Sequence, residues 1–300
     1  MPSLRARIVA RLVPYDAGSS SLRSVQALHD LMAQGGTPPG RAAPPAPLRR
    51  VVRVARGTIA GQPGHRLAPR HGGVGRPVLF FHGGGFVNAI TPYHWLFLAR
   101  LVRTAGCTVT VPAYELVPRV RAGDAVASAL AVVRALGAER PVLMGDSAGA
   151  NLALAVAQAA RDERVPVGGD VVLLSPWADV SMRNPEIAAV APRDPMLGAE
   201  ALAEAGRRYA GDGDPALPPA SPLHGDLSNL GRLTILTGTR DILNRDARRL
   251  RDLASAAPGT TVDFVEEPEM LHDWMLLPMP EATTAVERVA AAVSRPAARR

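Results

Sequence analysis

Apolar residues recur at helical spacing over residues 3–33 and stop at Gly35-Gly36, which predicts a helical segment. Residues 35–47 are rich in Pro and Gly and read as an exposed connector. Beyond residue 50 the pattern changes to short apolar runs bounded by turn residues. Val51, Val52 and Val54 suggest a strand, and a second candidate lies near 64–69. The run from Pro77 to His82 is apolar and stopped by glycines, as a buried strand would be. Further strands are predicted at Cys107–Val111, Pro141–Met144, Gly169–Ser175, Leu233–Thr237 and Thr261–Val265. Helical spacing fills the intervals at 93–104, 123–136, 148–161, 245–257 and 281–294.

Strands buried on both faces and alternating with helices form a mainly parallel sheet covered on both sides, an α/β fold. Residues 178–231 interrupt the alternation with Pro, Gly and no clear strand. They read as a cap inserted over the C-terminal edge of the sheet, built partly by a helix at 198–210. The predicted organisation is an N-terminal cap segment with its connector at 1–49, then a catalytic domain at 50–300 carrying that insertion.

Composition removes several alternatives. The chain has 300 residues, 47% hydrophobic and 20% charged, within the range of globular proteins. All 34 of its basic residues are Arg, and the net charge is +7. These arginines are spread along the chain, only 4% of residues are aromatic, and no binding motif accompanies the charge. A nucleic-acid partner is therefore not expected. One cysteine, Cys107, excludes an internal disulfide and a cysteine-based zinc cluster. No apolar run reaches 18 residues, so no membrane span is expected, and the N-terminus lacks the continuous apolar core of a signal peptide. A soluble, cytoplasmic protein is the expectation, and a homodimer is compatible with it.

The chemistry concentrates in two glycine-rich turns. Gly145-Asp146-Ser147-Ala148-Gly149 has a strand before it and a helix after it, the setting that presents a serine hydroxyl at a sharp turn. Ser147 then stands at a helix N-terminus, whose dipole favours developing negative charge. His82-Gly83-Gly84-Gly85-Phe86 ends an earlier strand, and three glycines in a row imply a backbone task. Exposed N–H groups of Gly83, Gly84 and Ala148 would stabilise the oxyanion formed on ester attack. His82 reads as structural. A serine nucleophile needs a base and an orienting carboxylate, which on this architecture follow in the order serine, acid, histidine. His272 follows a late strand and fits the base, whereas His224 falls in the insertion. Asp241 directly follows the strand at 233–237 and fits the acid better than Asp246 or Asp263. Phe86, Trp177, Met182, Met196 and Leu197 are candidate apolar linings of a substrate pocket.

Together these motifs resemble the hormone-sensitive lipase family of carboxylesterases, marked by the HGGG and GDSAG boxes, over most of residues 50–295. The similarity extends to Leu174-Ser175-Pro176-Trp177, Asp194-Pro195, Ser221-Pro222-Leu223 and His272-Asp273-Trp274. It implies an α/β-hydrolase fold, a Ser147–Asp241–His272 triad, an oxyanion hole of Gly83, Gly84 and Ala148, and no cofactor or metal. The substrate would be a small ester, cleaved through an acyl-enzyme. A lactone or an amide passes through the same intermediate, so those activities remain open, as does a non-catalytic small-molecule binder. Two departures stand out. Ala113-Tyr114-Glu115 replaces the Asp-Tyr-Arg common in the family, and Arg245 stands where a second acid is frequent after the catalytic Asp.

Overall fold

A computed structural model describes residues 2–12, 17–38, 43–73 and 75–295. Residues 39–42 of the predicted connector, and the first and last residues of the chain, lie outside the described residues. In chain order, the helices are α1 (Leu4–Leu12), α2 (Val25–Ala33), α3 (Pro92–Ala105), α4 (Ala122–Leu136), α5 (Ala148–Asp162), α6 (Ile187–Val190), α7 (Ala199–Ala210), α8 (Asn244–Ala256) and α9 (Pro280–Ser294). The strands are β1 (Arg53–Ile59), β2 (Gln62–Ala68), β3 (Val78–Phe81), β4 (Val109–Pro112), β5 (Val142–Asp146), β6 (Asp170–Leu174), β7 (Gly231–Gly238) and β8 (Thr260–Glu267). They form one sheet in the order β1-β2-β4-β3-β5-β6-β7-β8. β2 runs antiparallel to β1 and β4, and every other pairing is parallel.

The central strands follow from sequence directly. Every residue of β3, β4, β5 and β6 is buried, because helices cover both faces. β1 lies two residues beyond Val51, over Arg53–Ile59, and most of its side chains are exposed. It is an exposed edge strand whose bounds are set by its register with β2 rather than by burial of Val51 and Val52. Helix boundaries follow local chemistry. Pro92 opens α3 behind Thr91, and Gly106 closes it at φ 62°. α5 is Ala-rich, which favours helix and lets it lie close against β5 and β3.

The N-terminal helical segment divides between two places. α1 lies on the back of the sheet, where Ser3 N–H and Oγ both donate to Glu281 of α9. α2 packs on α7 of the insertion, and His29 reaches Glu204 at 3.1 Å. Leu22, just before α2, accepts from Gly198 N–H through its carbonyl at 2.8 Å. The insertion is anchored below by α5: Asn151 Nδ2 donates to the carbonyls of Trp177 and Ala220, both at 2.8 Å, and Gln158 Nε2 donates to that of Pro222. Among the described residues no helix is long and apolar enough to cross a membrane.

Leu28 of α2 is fully buried in the same apolar cluster as Leu202, Ala205 and Tyr209 of the insertion. Leu28→Ala is expected to cost about 2–5 kcal/mol. Urea unfolding would read it as a lower midpoint at unchanged slope. A loss below about 1 kcal/mol would mean that α2 is not part of the core.

Candidate active site

The turn after β5 holds Ser147 at φ 52° and ψ −118°, a backbone region that side chains disfavour. The sequence permits it through neighbours without Cβ atoms. A Cβ on Gly145 would strike the Gly149 carbonyl, and one on Gly149 would strike the carbonyl of Phe81. The turn is closed by Ser147 N–H donating to the Leu174 carbonyl at 2.8 Å, and its own carbonyl accepts from Trp177 N–H at 3.1 Å. Ser147 therefore sits at the N-terminus of α5, its side chain lining a cavity of about 290 Å³.

Late loops bring the other two expected residues together, His272 at this cavity and Asp241 behind it. His272 lies in its wall, and its Nδ1 is 2.8 Å from Asp241 Oδ2. Asp241, fully buried after β7, also accepts from Leu243 N–H at 2.8 Å. Burial alone would lower the pKa of His272, but Asp241 and Asp273 overcome it and hold the imidazole well above its ordinary value. His224 is elsewhere, paired with Asp179 at 2.9 Å. Asp246 bonds Asn184, and Asp263 meets Arg295.

The glycine loop differs from expectation in one donor. Gly83 N–H donates to Asp146 Oδ1 at 2.9 Å, so it is not free for an oxyanion. Asp146 lies directly under that glycine, where a Cβ would collide with its carboxylate. Among the described residues nothing accepts a hydrogen bond from the N–H groups of Gly84, Gly85 and Ala148, and Gly84, at φ 117°, lines the cavity. The other carboxylate oxygen of Asp146 accepts from His94 Nε2 at 3.0 Å, while Thr91 N–H donates to His94 Nδ1. Burial would raise the pKa of Asp146, but its partners His94 and Gly83 hold it below the usual carboxylate range. His82 is structural: burial lowers its pKa to about 4, its Nδ1–H donates to the Gly83 carbonyl, and it stacks on Tyr114. Tyr114 Oη donates to the His82 carbonyl, so the Tyr of Ala113-Tyr114-Glu115 keeps a place behind the loop.

Of the five aromatic and apolar residues expected in the pocket, Met196 and Leu197 line the cavity together with Leu22, Leu276 and Leu277. Phe86 and Trp177 do not. Phe86 stacks face to face on Tyr209 at 3.6 Å between ring centres, Trp177 lies 6.0 Å from Phe86, and both are buried beneath the insertion. Met182 accepts from Trp177 Nε1 and shares that layer. Asp194 had no role assigned from sequence beyond its place in a dipeptide. Its Oδ1 accepts from Met196 and Leu197 N–H and its Oδ2 from Ile242 N–H at 2.9 Å, so one carboxylate ties the cavity wall to the loop of Asp241. Burial and the charge of Asp241 raise its pKa to about 6.

The sequence profile of the alpha/beta hydrolase fold family matches residues 78–276. An acetyl-hydrolase of Streptomyces hygroscopicus is 37% identical over 220 residues, 71% of this chain and 73% of that protein. The esterase LipI of Mycobacterium tuberculosis is 31% identical over 228 residues, 70% of each. The crystal structure of an esterase from the bacterial hormone-sensitive lipase family superposes at a TM-score of 0.82 with 27% identity, covering 98% of both chains.

Asp146→Ala would leave His94 Nε2 and the Gly83 N–H buried without their partner. The expected loss is about 3–5 kcal/mol in chemical denaturation, as for other broken buried pairs. A loss within about 0.5 kcal/mol would show that the loop is held without this carboxylate.

Proposed function

The chain belongs to the alpha/beta hydrolase family, in the branch of esterases related to hormone-sensitive lipase, and we propose that it cleaves esters of short acyl chains through Ser147, His272 and Asp241. The observation that carries this reading is a strained serine and a carboxylate-bound histidine facing one apolar cavity. It is a serine ester hydrolase, and the similarity to an acetyl-hydrolase supports the small acyl group. A cavity of about 290 Å³ supports it as well, since it stands at the low end of the ~300–1,000 Å³ usual for ligand sites.

In the proposed reaction, neutral His272 takes the proton of Ser147 through Nε2 as Oγ attacks the ester carbonyl. Asp241 keeps the proton on Nδ1 and so fixes the tautomer. The oxyanion is received by N–H groups of Gly84, Gly85 and Ala148 at the positive end of α5. Imidazolium then protonates the leaving alcohol. Water, deprotonated by the same ring, hydrolyses the acyl-enzyme and returns Ser147. The acyl chain lies against Leu22, Met196, Leu197 and Leu276, so Asp194 acts on substrate choice through the wall it holds. Lactones and amides share this intermediate and would use the same groups.

The test is a p-nitrophenyl ester series from acetate to palmitate, with wild type beside Ser147→Ala. The expected optimum lies among the shortest chains, with kcat/KM at least about 10⁴-fold lower in the variant. Equal background rates for both proteins on every ester would sink the reading and favour a protein that binds without turnover.

A further inference from the structure

Nε2 of His272, the nitrogen that must receive the serine proton, makes no hydrogen bond to Ser147 in this structure. It lies 3.1 Å from Asp273 Oδ2, while Nδ1 is held by Asp241 at 2.8 Å. We propose that Asp273 is a positioning residue that competes with Ser147 for Nε2, so that His272 rests between two carboxylates and becomes a base only on leaving Asp273. This rests on the esterase reading of Ser147 and His272.

Three features of Asp273 point the same way. The residue adopts φ 49° and ψ 31°, a left-handed conformation, and its N–H donates to Ser175 Oγ at 3.0 Å, which aims the carboxylate back along the cavity wall. Its Oδ1 is buried with no hydrogen-bond partner among the described residues. Burying such an atom costs roughly 1–3 kcal/mol, and a merely structural turn would not need it. Finally, a ring with a carboxylate at each nitrogen is satisfied on both sides only as imidazolium, since both nitrogens must then donate. In that form His272 has no lone pair for the serine proton. The active form arises when the Nε2 proton moves to Asp273 or to water, leaving neutral imidazole, and Nε2 turns to Ser147.

The charges around this pair set its balance. Asp241 comes from the end of β7, Asp194 from the insertion, Asp146 from the end of β5 and His94 from α3. Burial first, then the charge of Asp146, push the Asp273 carboxyl up to about 7, against the pull of His272. The ionised Asp273 favours imidazolium, so it moves the pH at which His272 becomes a base upward. Removing that charge moves the acid limb of kcat/KM to lower pH.

The experiment compares wild type with Asp273→Asn and Asp273→Gly, two residues that accept a left-handed backbone. Folding is checked by thermal unfolding. The pH profile is read twice: as kcat/KM on p-nitrophenyl acetate, and as the rate at which a fluorophosphonate modifies Ser147, which needs no particular ester. The expected result is a limb lower by about one pH unit or more in whichever variant folds. One unit corresponds to a rate about five-fold above wild type at one pH unit below the wild-type midpoint. An unmoved limb in a folded variant overturns the proposal while leaving the esterase reading intact. A wild type whose Ser147 is not modified at any pH overturns both.

Discussion

Ser147 is held in a backbone conformation that a side chain ordinarily avoids, and the remainder of the site is arranged around keeping it there. Such a residue costs on the order of 1–3 kcal/mol and persists only where its surroundings overdetermine it. Here they do. β5 and α5 converge on Gly145 and Gly149, close enough that a methyl group on either would meet a carbonyl oxygen. The backbone bonds of Ser147 to Leu174 and Trp177 lock the turn to the end of β6. The same turn places the Asp146 side chain against the glycine loop, so Ser147 and the loop are fixed by adjacent residues of one strand end.

Behind the apolar cavity the buried charges divide the work. Asp146, with His94, sets the height of the glycine loop. Asp241 sets the orientation of His272. Asp194 joins the loop of Asp241 to the wall formed by Met196 and Leu197, so the insertion and the sheet are held in register at the cavity itself. In low-dielectric surroundings each of these carboxylates is stable only with its donors in place, and each therefore rigidifies what it touches. Arg245, which stands where a second acid was expected, does not hold the acid loop. That task falls to Asp194 and to Arg240, which donates to the Arg193 carbonyl.

Much of this was legible from sequence where burial and local chemistry agree. β3, β5 and β6 are apolar because both faces are covered, and the serine turn is readable because its glycines and its strand-helix setting are local. Asp241 and His272 were expected from chain order after late strands, and the structure brings their side chains within 2.8 Å of each other. What depends on tertiary approach was not legible. Nothing in three consecutive glycines says which N–H a carboxylate sixty residues away will take, so Gly83 was read as an oxyanion donor although its N–H is given to Asp146. Phe86 and Trp177 look like pocket aromatics in sequence, but their rings are occupied by one another and by Tyr209. The N-terminal segment reads as one helical element, yet its two helices pack on different bodies, α1 on α9 and α2 on α7, and Leu22 reaches the cavity from it. β1 starts beyond Val51 and Val52 because pairing with β2, and not burial, sets its bounds.

The central claim is that Ser147 carries the acyl group. Acid quenching during turnover of a short p-nitrophenyl ester, followed by proteolysis and mass spectrometry, tests it directly. The account predicts the acyl group on the peptide that contains Ser147 and on no other. An acyl group found on a different residue, or turnover with no acylated peptide under conditions that trap one in a known serine esterase, would contradict it.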